Sequence, residues 1–264
     1  MRRIFIFGLG YTAMRAAAAL QEQGWEVVST GRSGTLRFDD DSNVRLALAD
    51  SSHVLSSVPP DGAGLDPVLE AYGPALAGKH LVYLSSTGVY GDTVGAWVDE
   101  SAPTGTGRRT ARAEADRAWL ERGARVLRLP GIYGPGRSAL ERVEGGAAHR
   151  IDLPDQIFSR VHVDDIVSAV LLALDAPAGA YNVADDLPTS QNSVIEHACD
   201  LLGLPWPRLQ SIEEAGLSPM ARAFYAENRR VANRKAKRVL GWNPRYPTYR
   251  EGLGALLAAR QRDQ

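Results

Sequence analysis

The sequence predicts an α/β fold: a doubly wound parallel sheet followed by a smaller C-terminal α+β lobe. Three observations carry that expectation. Short β-branched or aromatic runs alternate with helical patterns through the first half, the order that covers both faces of a parallel sheet with helices. Runs such as "IFIF" (4–7) and "LVYL" (81–84) are apolar on successive residues, as strands buried on both faces must be. After about residue 131 the rhythm changes to short helices between connections such as "PGIYGPGR" and "GWNPRYPTY".

The elements follow in order. Strands are expected at Ile4–Phe7, Glu26–Thr30, Leu36–Phe38, His53–Val58, Leu81–Ser85 and Arg125–Leu129, with helices at Thr12–Gln23, Asn43–Ala49, Pro67–Leu76 and Thr110–Arg122. Gly24 and Gly123 follow two of these helices, where a left-handed residue belongs. Asp39–Asp41 reads as a loop before a helix rather than as a divalent-cation site. "DDIVSAVLLALD" carries apolar residues at helical spacing behind an Asp164 cap. The expected division is 1–131, with strand returns from about 155–185, and a second lobe over 132–264.

Composition narrows the function classes. The 264 residues are 44% hydrophobic and 23% charged, with a net charge of −1. That balance argues against nucleic acid or an anionic membrane as partner. The basic run Arg229, Arg230, Arg234, Lys235, Lys237, Arg238 is expected to be a solvated helix face, a phosphate-facing patch being the alternative. Cys199 is the single cysteine, which excludes an intramolecular disulfide and fits a reducing cytoplasm; its apolar neighbours mark a packed thiol. Arg2 and Arg3 before an apolar stretch resemble an export signal. The uncharged run Ile4–Met14 is interrupted by Gly8, Gly10 and Thr12, however, and falls well short of the ~20 residues of a membrane span, so that reading is rejected. No metal site is expected.

Gly8-Leu9-Gly10-Tyr11-Thr12-Ala13 lies between the first strand and the first helix, the setting of a dinucleotide fingerprint in a Rossmann-like sheet. Gly8 allows the tight turn, Gly10 lets backbone approach a pyrophosphate, and Ala13 lets helix and strand pack closely. The second strand ends in Thr30, Arg32 and Ser33 with no carboxylate. An acidic residue there would suit the ribose of NAD, whereas a guanidinium suits a 2′-phosphate. NADP(H) is therefore the preferred cofactor, with NAD(H) as the alternative if Arg32 is only a solvated loop residue.

Five motifs, "GLGYTA" (8–13), "LSSTGVYGD" (84–92), "LRLPGIYGPGR" (127–137), "SRVHVDDIVSAV" (159–170) and "YNVADDLP" (181–188), resemble the extended short-chain dehydrogenase/reductases. This is the nucleotide-sugar epimerase and dehydratase group, and "RRVANRKAKRVLGWNPRYPTYREGL" (229–253) is similar to its last segment. The resemblance implies Ser86, with Thr87 beside it, as hydrogen-bond donor to the reacting oxygen. It implies Ser56, Ser57 and Val58 beside the adenosine ribose and pyrophosphate. Ser85 and Pro130 would touch the cofactor, and Gly131, Tyr133, Arg137 and Arg160 the substrate.

Two departures matter. The family's proton-transfer pair is Tyr-x-x-x-Lys, and the matching stretch is "DESAPTGTGRRTARAEADRAWL" (99–120). Aligning Asp116 with the acidic residue after the lysine puts Arg108 and Arg112 at the pair; aligning Pro103 puts Ala111 and Ala115 there. An arginine stays protonated at neutral pH and stabilises negative charge, but does not act as base. Ser86, Tyr90, Tyr133 or the substrate itself would have to move the proton, although Tyr90 reads more readily as a packed ring. The second departure is Phe158, which stands where many relatives carry an arginine for a sugar-nucleotide pyrophosphate. His162 is expected to orient the strand–helix junction rather than to bind metal.

The resulting expectation is an NADP(H)-dependent epimerase, dehydratase or reductase acting on a sugar-like hydroxy or keto compound in the cytoplasm. The alternative is a non-catalytic NADP(H) sensor or scaffold. The expected partner is that small molecule, without nucleic acid or membrane; a homodimer through sheet-flanking helices is admitted.

Overall fold

Alternate side chains of a strand point to opposite faces, so a strand that is apolar at every position feeds two cores at once. The computed structural model, which describes residues 2–61, 64–107 and 110–262, shows this division directly. Six parallel strands form the central sheet: β1 (Arg3–Phe7), β2 (Glu26–Ser29), β3 (His53–Ser56), β4 (His80–Ser86), β5 (Arg125–Leu129) and β6 (Gly179–Asn182). Their order is β6-β5-β4-β3-β1-β2. Ile4, Ile6, Leu55, Val82, Leu84, Leu127 and Leu129 face one core, shared with helices α1 (Tyr11–Glu22) and α6 (Val163–Ala173). Phe5, Phe7, Val54, Leu81, Tyr83 and Val126 face the other, under α2 (Asp41–Ala49), α3 (Pro67–Tyr72) and α4 (Thr110–Glu121).

A third core holds the C-terminal elements together. Leu140 of α5 (Ala139–Glu144), Val194, Ile195, Ala198 and Cys199 of α7 (Gln191–Leu202), and Tyr249, Leu253 and Leu256 of α9 (Tyr249–Arg262) pack into it, Cys199 fully buried. The short helix α8 (Pro219–Phe224) lies between α7 and α9 in the chain. Three two-stranded parallel pairs complete the fold: Gly131–Tyr133 with Arg160–His162, Trp97–Val98 with Arg230–Val231, and Arg150–Ile151 with Leu209–Gln210.

Three sequence expectations are corrected. Leu36–Phe38 does not enter the sheet; only a bridge between Thr30 and Leu36 remains. The Phe38 ring turns inward instead, edge-on to Phe7 at 6.1 Å and to Tyr72 at 5.4 Å, and its carbonyl accepts the Tyr72 hydroxyl. Helix α6 begins one residue before Asp164, and its cap is His162, whose Nδ1 accepts from the Asp164 amide at 3.2 Å. The basic run 229–238 is not one helix face: Arg230 is in a strand, and residues 236–240 form a π-helical turn.

Candidate functional site

In the sheet order, the chain leaves β1 toward β2 on one side and reaches β3 on the other, so the carboxyl ends of β1 and β3 border a switch point. The Gly8–Ala13 turn sits there. Gly8 has φ +81°, and a Cβ at that position would lie 2.9 Å from Val58 Cγ2 and 3.0 Å from Ser57 Oγ. Its amide donates to Thr30 Oγ1 at 3.3 Å, the Leu9 amide donates to the Thr30 carbonyl at 2.9 Å, and Ser57 Oγ donates to the Gly8 carbonyl. Thr30, Ser57 and Val58 therefore buttress the turn.

Gly10 is the N-cap of α1 and supplies no capping side chain, and the first turn carries no acidic residue. The first amides of the helix are left to an external acceptor, at the positive end of the helix dipole. Among the described residues, apart from its own neighbours in the chain, no atom lies within 4 Å of a Cβ built on Gly10, so the space beside it is open. This is a cradle that fits a diphosphate.

The cradle opens into a cavity of about 950 Å³. Gly10, Tyr11, Thr12, Ala13 and Ser57 line it beside the glycine turn; Ser85, Ser86, Thr87 and Pro130 line it at and just after the ends of β4 and β5, Arg112 from α4, and Gly131, Tyr133, Arg137 and Arg160 line it as well. Ser56 is fully buried in β3 with an unpartnered Oγ, and Arg32 and Ser33 are exposed outside the cavity lining. Arg108 lies outside the described residues.

Ser86 Oγ accepts the Gly88 amide at 3.1 Å, which fixes it at the head of the turn Thr87–Tyr90. Among the described residues its hydroxyl proton has no acceptor in the protein, so it is available to a ligand in the cavity. Arg112, on α4, donates to Tyr83 Oη at 3.1 Å. The Tyr83 ring stacks on Trp119 at 5.2 Å, and burial pushes its hydroxyl up to about 12, so it remains a neutral acceptor for the guanidinium.

Sequence reasoning missed the network behind Ser85. Its hydroxyl donates to Asp116 at 2.7 Å, and Asp116 is ion-paired to Arg128, which donates to Tyr90 Oη at 2.9 Å. Tyr90 donates in turn to Asn182 Oδ1 at 2.8 Å. This withdraws Tyr90 from the cavity, correcting its candidacy as a proton donor; burial also raises its hydroxyl pKa. The available signal was Arg128 between Leu127 and Leu129 inside the strand "RVLRL", since a charge in a strand's buried interior requires a partner. Tyr133 does line the cavity, with its pKa raised by burial, which leaves it a donor but not a base at neutral pH.

No family model matches the chain. Among curated proteins it is 29% identical over 256 residues to Protein YeeZ of Escherichia coli K12, covering 82% of this chain and 89% of that one. It is 33% identical over 174 residues to a 3-diazoavenalumate denitrifying reductase of a Streptomyces species, covering 60% of this chain and 56% of the reductase. Among solved structures, a functionally unknown conserved protein of Silicibacter pomeroyi shares 39% identity at TM-score 0.87, over 98% of this chain and 99% of that one. A putative NAD-dependent epimerase/dehydratase of Methylobacillus flagellatus shares 26% at TM-score 0.76, over 98% and 99%. The human epimerase family protein SDR39U1 (isoform 2), solved with NADPH, shares the fold at 17% identity and TM-score 0.76, over 97% and 99%.

Proposed function

We propose that this chain, which belongs to the NAD-dependent epimerase/dehydratase family of extended short-chain dehydrogenase/reductases, is an NADP(H)-dependent enzyme. It is an atypical member, without the Tyr-x-x-x-Lys pair. Its substrate is a small, sugar-like hydroxy or keto compound, and its reaction is an epimerisation, dehydration or reduction. The observation that carries the reading is the open N-terminus of α1 at the switch point, continuous with a cavity that runs past Ser86. The NADPH complex of one neighbour and the reductase relative support it.

In this reading the α1 amides hold the diphosphate and Arg32 meets the 2′-phosphate. Bound nicotinamide supplies or accepts the hydride. Residues 1–131 and the returning strands hold the cofactor, while the lobe over 132–264 closes on substrate. Ser86 donates a hydrogen bond to the reacting oxygen, and Arg112 stabilises negative charge on it without taking a proton. The buried lone Cys199 supports a cytoplasmic setting.

A second reading, a nucleotide-binding sensor without turnover, is favoured by the guanidinium at Arg112, which is no base. One experiment separates the two. The protein loaded with NADPH or NADP+ is offered keto-sugars, hydroxy sugars and small carbonyls. Nicotinamide absorbance follows reduction, and product analysis follows epimerisation and dehydration, which return the hydride and leave no net absorbance change. Turnover by either measure that falls about 10²-fold in Ser86→Ala supports the enzyme. Tight NADPH binding without turnover across the panel supports the sensor. If calorimetry detects no pyridine nucleotide binding, both readings fail.

A further inference from the structure

We infer that the substrate end of the cavity holds a small carboxylate with a flat apolar body, gripped by Arg160, and not a nucleotide diphosphate. The inference rests on the cofactor reading above and replaces its sugar-like substrate with a carboxylate whose body is flat and apolar. Arg160 opens the strand Arg160–His162 and is only 6% exposed, yet it lines the cavity. Its Nη2 donates to the Thr189 carbonyl at 3.1 Å, while its Nη1 is buried with no partner. Among the described residues no carboxylate comes within ion-pair distance of it. Asp185 is close enough to influence its charge, but accepts the Leu187 amide with one oxygen and leaves the other unpaired.

A guanidinium taken out of water keeps its charge and is costly unless an anion completes it. The planar fork of Arg160 lies 5.5 Å from the Tyr249 ring centroid, which leaves its free edge for a planar oxyanion. The same cavity is walled by Phe158 and Tyr225, their rings 5.4 Å apart and edge-on, with Leu217, Val194 and Leu253. Such a wall suits a flat apolar body.

A diphosphate fits less well. Glu141 and Glu227 also line the cavity, and Arg229 is engaged by Glu227 at 2.9 Å. Of the other guanidinium groups of the lining, half-buried Arg112 is turned to Tyr83, and exposed Arg137 and Arg142 attract any anion without selecting one.

The test uses the full chain saturated with NADPH and calorimetry with three probes: cinnamate, its neutral amide cinnamamide, and UDP-glucose. Cinnamate is expected to bind about 10- to 100-fold more tightly than the amide, the range of a charge-assisted hydrogen bond. Arg160→Met should abolish that difference, and Arg160→Lys should keep part of it. Phe158→Ala, which leaves the guanidinium in place, should weaken acid and amide alike. Equal or undetectable binding of acid and amide by the wild type overturns the inference; a water bridging Arg160 and Asp185 would give that result. Tighter binding of UDP-glucose than of cinnamate also overturns it. The NADPH titration of the same samples reports on the cofactor reading separately.

Discussion

Arg128 and Asp116 form an enclosed ion pair, with Nη2 2.7 Å and Nε 3.1 Å from the carboxylate oxygens and side chains 4% and 2% exposed. The pair joins α4 to β5 across the sheet edge of the cavity, and the hydroxyls of Ser85 and Tyr90 close it at either end. It positions the β4 terminus on which Ser86 stands.

Removing one member leaves the other charged and dry. Asp116→Ala should therefore cost about 3–5 kcal/mol of stability, whereas Asp116→Leu combined with Arg128→Met should cost much less. Urea denaturation of the two variants beside wild type checks this. Near-equal losses for the single and double variants would show that the charges are not coupled.

The two glycines of the turn should behave differently. Gly8→Ala forces a side chain into the left-handed region and against Val58, so it should lose roughly 1–2 kcal/mol and weaken NADPH binding. Gly10→Ala meets no atom of the described residues beyond its chain neighbours and should change stability by no more than about 0.5 kcal/mol, while nucleotide affinity falls. Paired melting and calorimetry measure both quantities. Unchanged NADPH affinity in Gly10→Ala would remove the diphosphate from this cradle.

Arg32 is exposed at the end of β2, where a charge change is structurally cheap. Arg32→Glu should weaken NADPH by about 10- to 100-fold, leave NADH nearly unaffected, and shift stability by less than about 0.5 kcal/mol. Side-by-side titrations at low and high salt decide it. Equal losses for both cofactors would take the 2′-phosphate away from Arg32.

Burial pushes the Asp185 carboxyl up to about 7, against the opposing charge of Arg160. The unfolded chain titrates this group near 3.9, at about 1.4 kcal/mol per unit of difference. Folded Asp185 thus holds its proton where the unfolded chain has released it. Its contribution is fully present below about pH 4 and is lost as pH rises through about 7. Asp185→Asn should gain stability relative to wild type between pH 4 and pH 8. Parallel urea-stability profiles for the two proteins across that range would contradict the assignment.

The cofactor half was legible because its determinants are local. Left-handed glycines at 8, 24 and 123, a small residue at 13, and strands apolar at every position are requirements of backbone sterics and pleat, and each can be read from neighbours in the chain. Local patterns misled where a competing partner lay elsewhere. Leu36–Phe38 has strand-forming residues, but Phe38 is drawn to Phe7 and Tyr72; Asp164 is a good cap, but His162 reaches its amide first.

The sequence by itself determined the sheet order's raw material, the glycine turn and the loss of the Tyr-x-x-x-Lys pair. Only the tertiary structure decided that Ser85 meets Asp116 across 31 positions, that Tyr90 is held by Asn182 across 92, and that Arg160 faces the cavity without a carboxylate. Residue types state which side chains need partners. Which groups meet, and which buried charge is left for a ligand, depends on packing between distant segments, and one chain read in order does not contain those distances.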